Sequence, residues 1–401
     1  MSITNLPLEL VQEILLYLNL RSIRDFRLVN RSCKEACNGP PWVRFFTSLR
    51  TGLSHATLGF CDGLITRYNL ERTVRRLEIL AQCMVPPDMR EYLELQRRRR
   101  VGSSAVPITS LEEPHFTELH AAVQRDSLEW LRSHRWSNHP NVDRATISRL
   151  TSILCRLEKL DTVILSPSLT RGYGTDPYYV ETHLPPGHYM TLMAMARSNI
   201  QVSTLSVFGD TTFFCFLHGD LCSALSSNPA ELRVIGERLE TLKLGMSATG
   251  NGYNPNTHDT TGLARFLQHT PHLRKLDLAL RNTHGRTAVS DAIFVAVAND
   301  VYLPRLEECG LSGFCCRDDG SLRMFLTRHA GTLQRLFLTS MGIGSGSWHI
   351  ALCQLYLISA FPAFKCARLY QLSVGWVMTY LQPTIVTRTE TGVIEKRTGW
   401  V

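Results

Sequence analysis

Long apolar runs are missing from this sequence, and so is a secretory leader. No stretch approaches the roughly 18 apolar residues of a membrane-spanning helix, and the densest apolar cluster, residues 213–217, is far too short. The N-terminal residues have neither the positively charged start nor the apolar core of a signal peptide. We therefore expect an intracellular protein that works in the cytoplasm and/or nucleus and does not bind membranes.

Paired cysteines and catalytic signatures are scarce as well. The 12 cysteines include no CxxC pair, so we expect reduced, mostly buried thiols. No zinc-ligand spacing, nucleophile elbow or phosphate-binding loop occurs, and Gly342, Gly344 and Gly346 have the wrong spacing for a dinucleotide loop. The sequence therefore predicts a protein that is not an enzyme and that has no metal and no cofactor.

Charged residues make up only 19% of the chain and hydrophobic residues 44%, which excludes disorder over the whole length. The 401 residues have room for two or three domains. The net charge of +8 lies mostly in residues 1–110. The run from Arg97 to Arg100 fits a solvated linker, a nuclear localisation signal or a patch that attracts acidic partners. Nucleic-acid binding would depend on this run alone, so we do not expect it.

Three short helices are predicted at the start of the sequence. The first covers residues 6–18, with Pro7 in its first turn, where a missing N–H costs nothing. The second covers residues 22–29, and the third begins at Arg31 and ends before Pro40. Apolar residues occur on more than one face of the first helix, more than so small a module can bury. Either another protein completes this module, or it packs on the body of its own chain.

The same segment resembles an F-box over residues 3–46, with matching order and spacing of Leu6-Pro7, Phe26 and Trp42. An F-box implies a three-helix module that docks on the Skp adaptor and, through it, on a cullin–RING ubiquitin ligase. By the family pattern, the adaptor contacts are Leu6, Pro7, Leu8, Val11, Ile14, Leu15, Leu18, Ile23, Phe26 and Trp42.

Composition divides the remainder into four segments. Residues 47–95 are predicted to be a helical spacer, because apolar residues recur at helical spacing over residues 69–83. Residues 96–116, with four consecutive arginines and then Gly, Ser and Pro, are predicted to be a flexible linker. Residues 117–380 are predicted to bind a target protein, and residues 381–401 form an edge hairpin or a frayed tail.

A Leu-x-x-Leu-x-Leu pattern recurs in the third of these segments. Such a pattern is typical of a short strand whose inward and outward residues alternate, and amphipathic helices precede several copies. The copies begin at Leu160, Val202, Leu239, Leu273, Leu333 and Leu369, and a degraded copy begins at Leu303.

This pattern resembles leucine-rich repeats, which follow the F-box in many proteins of that family, and their irregular length resembles fungal members. The resemblance implies an α/β fold in which each unit adds one strand and one helix to a horseshoe. The alternative is a general α/β domain whose buried strands carry the pattern by chance. Seven strands about 4.8 Å apart would form an exposed concave face about 29 Å wide.

Side chains between the repeated leucines would line that face. Their mixed charge suits a protein ligand better than nucleic acid, which would need a basic stripe. The candidate target contacts are Lys243, Lys275, Asp277, Arg305, Arg335 and Phe337.

Together these features predict the substrate-recognition subunit of an SCF-type (Skp–cullin–F-box) ubiquitin ligase. Its partners would be the Skp adaptor and an unknown target protein. The alternative is an F-box scaffold that binds the adaptor but has a role outside protein degradation.

Overall fold

The computed structural model describes residues 6–37, 40–85, 144–171, 187–209, 216–217, 229–247, 260–281, 287–345, 348, 362–370, 372–374, 384–388 and 394–398. The predicted linker 96–116, with its arginine run, lies outside the described residues. None of the helices in the described part combines the length and the apolar character that crossing a membrane requires.

An N-terminal helical module opens the chain, as the sequence predicts. Two of its helices begin at asparagines, because the Asn19 side chain accepts a hydrogen bond from the Ser22 N–H and Asn30 accepts one from the Cys33 N–H. A fourth short helix starts at Pro40, so this proline begins a helix. The helices are α1 Leu8–Leu16, α2 Leu20–Val29, α3 Arg31–Cys37 and α4 Pro40–Val43, and a 3₁₀ turn follows at Arg44–Phe46.

A long sheet forms the body of the molecule. Nine of its strands are parallel and follow one another in the order of the sequence, apart from three short strands that lie off this path. The nine strands are β1 Ser48–Gly52, β2 Arg76–Val85, β3 Thr162–Arg171, β4 Thr204–Val207, β6 Thr241–Ser247, β7 Lys275–Arg281, β8 Glu308–Ser312, β10 Arg335–Thr339 and β12 Cys366–Tyr370. The short strands are β5 Phe216–Leu217, β9 Cys315–Cys316 and β11 Gly342–Ile343.

Helices connect these parallel strands, which gives the mixed α/β fold that the sequence predicts. They are α5 His55–Tyr68, α6 Arg144–Arg156, α7 Gly187–Ser198, α8 Pro229–Gly236, α9 Gly262–Gln268, α10 Thr287–Asp300 and α11 Gly320–Arg328. β11 also pairs with β9 and with β13 Ser373–Val374 in a separate three-stranded sheet. At the C-terminal edge, β14 Thr384–Arg388 and β15 Ile394–Thr398 add an antiparallel hairpin to β12. The hairpin alternative for the tail is thus confirmed.

A repeated backbone contact joins each strand to the next. The carbonyl oxygen of Glu240 accepts hydrogen bonds from the N–H groups of both Arg274 and Lys275, at 2.8 and 2.9 Å. The same double contact recurs at every step from β1 to β12, with Thr47 as the first acceptor and Gln334 as the last. Consecutive strands are therefore joined here through main-chain atoms. The contact does not depend on which side chain the accepting residue carries.

The leucines of the repeat form one continuous core beneath the sheet. Leu242, Leu276 and Leu336, in the middle position of three copies, are each at most 1% exposed. On α10, Phe294 packs between the rings of Phe314 and Phe325, with centroids 5.5 and 6.0 Å away. The residues that alternate with these leucines lie on the opposite side of the sheet, where Lys243, Asp277 and Phe337 are half-buried and Ser206 of β4 is buried.

The predicted helix over residues 69–83 is wrong. Its second half is β2, in which the buried residues Leu77, Ile79 and Ala81 alternate with less buried ones. Leu70 and Val74 fit a helical stripe only because the turn before β2 buries them too. The segment 47–95, predicted to be a helical spacer, therefore supplies the first two strands of the sheet.

Two copies of the repeat are also shifted from their predicted register. In the copy at β8 the buried positions are Leu306, just before the strand, and Cys309 and Leu311 within it, so the copy does not begin at Leu303. In β12 the strand pairs through Ala367 and Leu369, so Leu369 ends the copy instead of starting it. A cysteine and an alanine at the middle position made both copies unrecognisable as leucine repeats.

Candidate interaction surfaces

The exposed side of the sheet is built from residues that alternate with the buried leucines. Strand register aligns them in rows across neighbouring strands, and one row crosses the middle of the sheet. We call the part of this side on β6 to β12 the sheet face. Its middle row consists of Lys243, Asp277, Gly310, Phe337 and Arg368.

A notch interrupts that row at Gly310. Asp277 lies on one side of this glycine and Phe337 on the other, and the surrounding groove has a volume of about 320 Å³. A Cβ atom at this position would come within 2.8 Å of Asp277 Oδ1. The residues that follow along the groove are small: Ser312 and Thr339 line it as well.

Ion pairs lie along the edge of the groove. Glu308 Oε1 is 3.2 Å from Lys275 Nζ and also contacts the guanidinium of Arg335. Arg368 places its guanidinium carbon 5.8 Å from the centre of the Phe337 ring. Cations therefore lie on both sides of the notch, with one acid between two of them.

Five of the six predicted target contacts lie on the sheet face, namely Lys243, Lys275, Asp277, Arg335 and Phe337. The prediction for Arg305 is wrong, because Arg305 is an exposed residue of the turn before β8. The shifted register of that copy explains the error. The positions that replace it on the face are Glu308 and Gly310, which the sequence analysis did not select.

Burial makes the thiols of Cys61, Cys309 and Cys316 poor nucleophiles. Burial raises the pKa of Cys309 and of Cys316 well above the ordinary value, and it raises the pKa of Cys61 to about 11. Eight cysteines of the described part, Cys61, Cys309 and Cys316 among them, are free. Over the described ranges, no group of three or more His, Cys, Asp or Glu side chains is arranged to hold a metal ion.

The N-terminal module has a small core of its own. Val11 and Leu15 of α1 and Ile23 of α2 are at most 5% exposed, and they pack with Ala36 and Cys37 of α3. Five half-buried residues pack around this core: Leu6, Leu18, Phe26, Trp42 and Phe45.

Beside that core, α1 presents an apolar stripe to solvent. Leu10, Ile14 and Tyr17 are 48%, 41% and 84% exposed, and their spacing places them on one face of the helix. Leu28 and Val29 at the end of α2 are also exposed. A small module with an exposed apolar stripe next to a filled core is suited to docking on another protein.

Arg44 fixes the end of α1 beneath this stripe. Its guanidinium donates hydrogen bonds to the carbonyl oxygens of Leu15, Leu16 and Leu18, at and just beyond the C-terminal end of the helix. A positive charge at the C-terminal end of a helix also complements the helix dipole. The stripe is therefore presented by a helix whose last turn is held in place.

Aromatic rings connect the module to the sheet body. The Trp42 ring has the Arg27 guanidinium carbon 4.0 Å from its centre and the Phe46 ring 5.3 Å away. Phe46 stacks in turn on Tyr68 of α5, with centroids 6.0 Å apart. Phe46 and Tyr68 both pack against the main core, so this chain of rings links the two cores.

Residues 3–44 match the F-box domain. This match supports an F-box protein, as the resemblance over residues 3–46 implies. No curated protein matches the chain. F-box domains bind the Skp adaptor within cullin–RING ligases, and F-box proteins are generally non-catalytic subunits of such ligases.

The ten predicted adaptor contacts in this F-box occupy three different environments. Val11, Leu15 and Ile23 are buried in its own core, so they stabilise the F-box and present no surface to a partner. Pro7, Leu8 and Ile14 are exposed. Leu6, Leu18, Phe26 and Trp42 are half-buried around the core.

Several exposed apolar residues of the F-box were not among the predicted contacts. They are Leu10, Leu16, Tyr17, Leu28 and Val29. Their signal in the sequence is the excess of apolar residues over what one helical stripe requires. Spacing alone could not separate the stripe that faces the core from the stripe that faces solvent.

Proposed function

We propose that this protein is the substrate-recognition subunit of an SCF-type ubiquitin ligase and works in the cytoplasm, the nucleus or both. The F-box would bind the Skp adaptor, and the sheet body would bind a target protein. The observation that carries the proposal is the exposed stripe Leu10, Ile14 and Tyr17 on an F-box whose own core is already filled.

Adaptor binding would bury this stripe. Burying a fully exposed leucine or isoleucine contributes roughly 1.5–3 kcal/mol, and Leu10 and Ile14 are about half exposed, so each of these two would contribute about half as much. Leu28 and Val29 would extend the buried area along α2.

In this proposal the subunit contributes to catalysis only by positioning the target. The subunit would hold a lysine of the target near a ubiquitin-charged enzyme and would supply no reacting group itself. That role requires a rigid attachment between the F-box and the sheet body. The rings of Trp42, Phe46 and Tyr68 support it, because they link the F-box to the body that would hold the target.

We further propose that the body is a stack of degenerate leucine-rich repeats. The support is the backbone contact that recurs from strand to strand and the buried residue in the middle of each copy. The sheet face, with its notch at Gly310, would then be the surface that meets the target.

Co-expression with a Skp adaptor tests the F-box part of the proposal. The wild-type chain is compared with a Leu10→Asp, Ile14→Asp variant and with Arg31→Ala, a control in α3 of the same module that removes an exposed ion pair with Glu35. We expect the adaptor to co-purify with wild type and the control but not with the double variant. Failure of wild type to bind, or retention by the double variant, would contradict the proposal.

Target turnover separates a ligase subunit from a scaffold. Proteins that bind the sheet body should have longer half-lives in cells that carry the double variant than in cells with wild type. Unchanged half-lives, together with intact adaptor binding by wild type, would favour the scaffold.

A further inference from the structure

We propose that the notch at Gly310 binds an extended acidic segment of the target, with one apolar side chain of that segment seated against Phe337. This inference rests on the proposed function, since it names the class of target segment that the sheet face accepts. Three observations support it: the notch itself, the side chains around the notch and the net charge of the sheet face.

The backbone does not require a glycine at residue 310. Gly310 lies within β8 and its φ is not positive, so other residues could adopt its conformation. The atom that an added Cβ would approach is the carboxylate oxygen of Asp277, at the end of a side chain that can rotate. Neither strain nor backbone packing therefore accounts for the glycine. Its effect is the open space between Asp277 and Phe337.

The wall of that space can hold an apolar group. Phe337 is half-buried and turns its ring toward the exposed side, next to the glycine in the neighbouring strand. Leu311 and Leu276 also line the groove, but each is only 1% exposed, so the Phe337 ring supplies its accessible apolar surface. An apolar side chain entering the notch would leave water for these surfaces.

Charge on the face selects an acidic segment. Across β6 to β12 the middle and first rows carry Lys243, Lys275, Arg335 and Arg368 against two acids, Asp277 and Glu308. This excess of positive charge attracts carboxylates and repels basic segments.

Two details favour carboxylates spaced along a peptide over a single phosphate. Lys275 and Arg335 both bind Glu308, so their charge is already partly neutralised. Arg368 is exposed and makes no ion pair within the described part of the chain. An acidic side chain can therefore reach Arg368 while a neighbouring apolar one fills the notch.

The width of the sheet face sets the length of the peptide segment that can bind across it. Five strands about 4.8 Å apart span roughly 19 Å, and an extended peptide covers that distance with about six residues at roughly 3.3 Å each.

A display library of random peptides of about seven residues tests this proposal. It is selected on the full chain in complex with the Skp adaptor, and the enriched peptides are synthesised for affinity measurements. We expect enrichment of peptides that combine several Asp or Glu residues with one Leu, Ile or Phe. Enrichment of basic peptides, or no enrichment, would overturn the proposal.

Variants of the chain locate the binding. Gly310→Val fills the notch without backbone strain, and Arg368→Glu reverses the exposed charge; each should weaken binding of the enriched peptides by about tenfold. The matched control is Arg76→Glu, the same charge change at an exposed position of the same side on β2, which should leave affinity within about twofold. Equal losses in Arg76→Glu and Arg368→Glu would overturn the site.

Adaptor co-purification with each variant distinguishes a failure of the notch proposal from a failure of the proposed function. The notch variants should keep the adaptor, since Gly310 and Arg368 are in the sheet body. Loss of peptide binding with the adaptor retained supports the notch. Absence of the adaptor from the wild-type complex would instead contradict the proposed function.

Discussion

Neighbouring residues of α1 have opposite roles. Leu15 is fully buried in the F-box core, whereas Ile14 is 41% exposed beside it. The helical period separates the two side chains by about 100°, enough to turn one inward and the other to solvent. The same type of apolar side chain therefore lies in the core at one position and, in the proposed function, docks on the adaptor at the neighbouring position.

Alanine substitutions should separate those roles. We expect Leu15→Ala to lower the free energy of unfolding of the F-box by about 2–5 kcal/mol, because it leaves a cavity. Ile14→Ala should cost less than about 1 kcal/mol but weaken adaptor binding. Chemical denaturation and adaptor titration measure the two effects. A larger loss of stability in Ile14→Ala than in Leu15→Ala would show that the core is assigned incorrectly.

A buried histidine makes the stability of the body depend on pH. Nδ1 of His329 lies 2.8 Å from the Phe325 carbonyl oxygen, and Nε2 accepts a hydrogen bond of 3.1 Å from the Leu303 N–H. Nδ1 therefore carries the proton of a neutral ring. Burial lowers the pKa of His329 below its ordinary value of 6.5, and the nearby Arg328 lowers it further.

The direction of that dependence follows from where the proton binds. Below about pH 6.5 the unfolded chain binds a proton at His329 and the folded chain does not, so acid lowers the free energy of unfolding. We expect a His329→Gln variant to be less stable at neutral pH but to lose less stability between about pH 7 and pH 5. Parallel stability curves for the two proteins would exclude this role.

Helices far apart in the sequence are joined by one arginine. Arg156, the last residue of α6, is 2.6 Å from Asp62 Oδ1 of α5 and 2.6 Å from Glu71 Oε1 in the turn before β2. Burial raises the pKa of Glu71, but the hydrogen bond from Arg156, a backbone hydrogen bond and the charge of Arg156 together outweigh burial and lower the pKa overall. Residues 86–143 lie between β2 and α6 in the sequence, so this contact joins parts of the chain on either side of that segment.

We expect Arg156→Ala to lower the free energy of unfolding by about 1–2 kcal/mol, since it leaves two partly buried carboxylates without their partner. The matched control is Arg72→Ala. Arg72 forms an ion pair with Glu158, and the two side chains are 77% and 55% exposed, so this pair should contribute less than about 0.5 kcal/mol. Thermal denaturation in low and high salt compares the two. Equal effects would mean that the Arg156 contacts act as ordinary surface pairs.

The whole molecule combines two cores of very different size. The F-box core has five buried residues, whereas the core under the sheet continues from β1 to β12. Small cores open more easily than large ones, and parts of a protein can open independently.

Hydrogen exchange should show this difference. In the free chain, we expect amides of α1 and α2 to exchange faster than those of β6 to β10. Adaptor binding should slow exchange in α1 and α2 and leave β6 to β10 unchanged. Equal protection of both parts in the free chain would indicate that the rings between Trp42 and Tyr68 make them a single cooperative unit.

Most helices of the F-box and most strands of the sheet body can be predicted from the sequence alone. Prolines and helical spacing predicted the three F-box helices, and leucine spacing predicted the strands at Leu160, Val202, Leu239, Leu273 and Leu333. These patterns are local, because a strand with one buried face must alternate along its own length.

Tertiary structure alone decided which apolar side chains of α1 are buried, because several stripes on that helix are equally apolar. It also set the register of β8 and β12, where Cys309 and Ala367 replace leucines and only the neighbouring strand fixes the alignment. The notch at Gly310 exists for the same reason. A gap appears at this glycine only because parallel strands place Asp277 and Phe337 on either side of it.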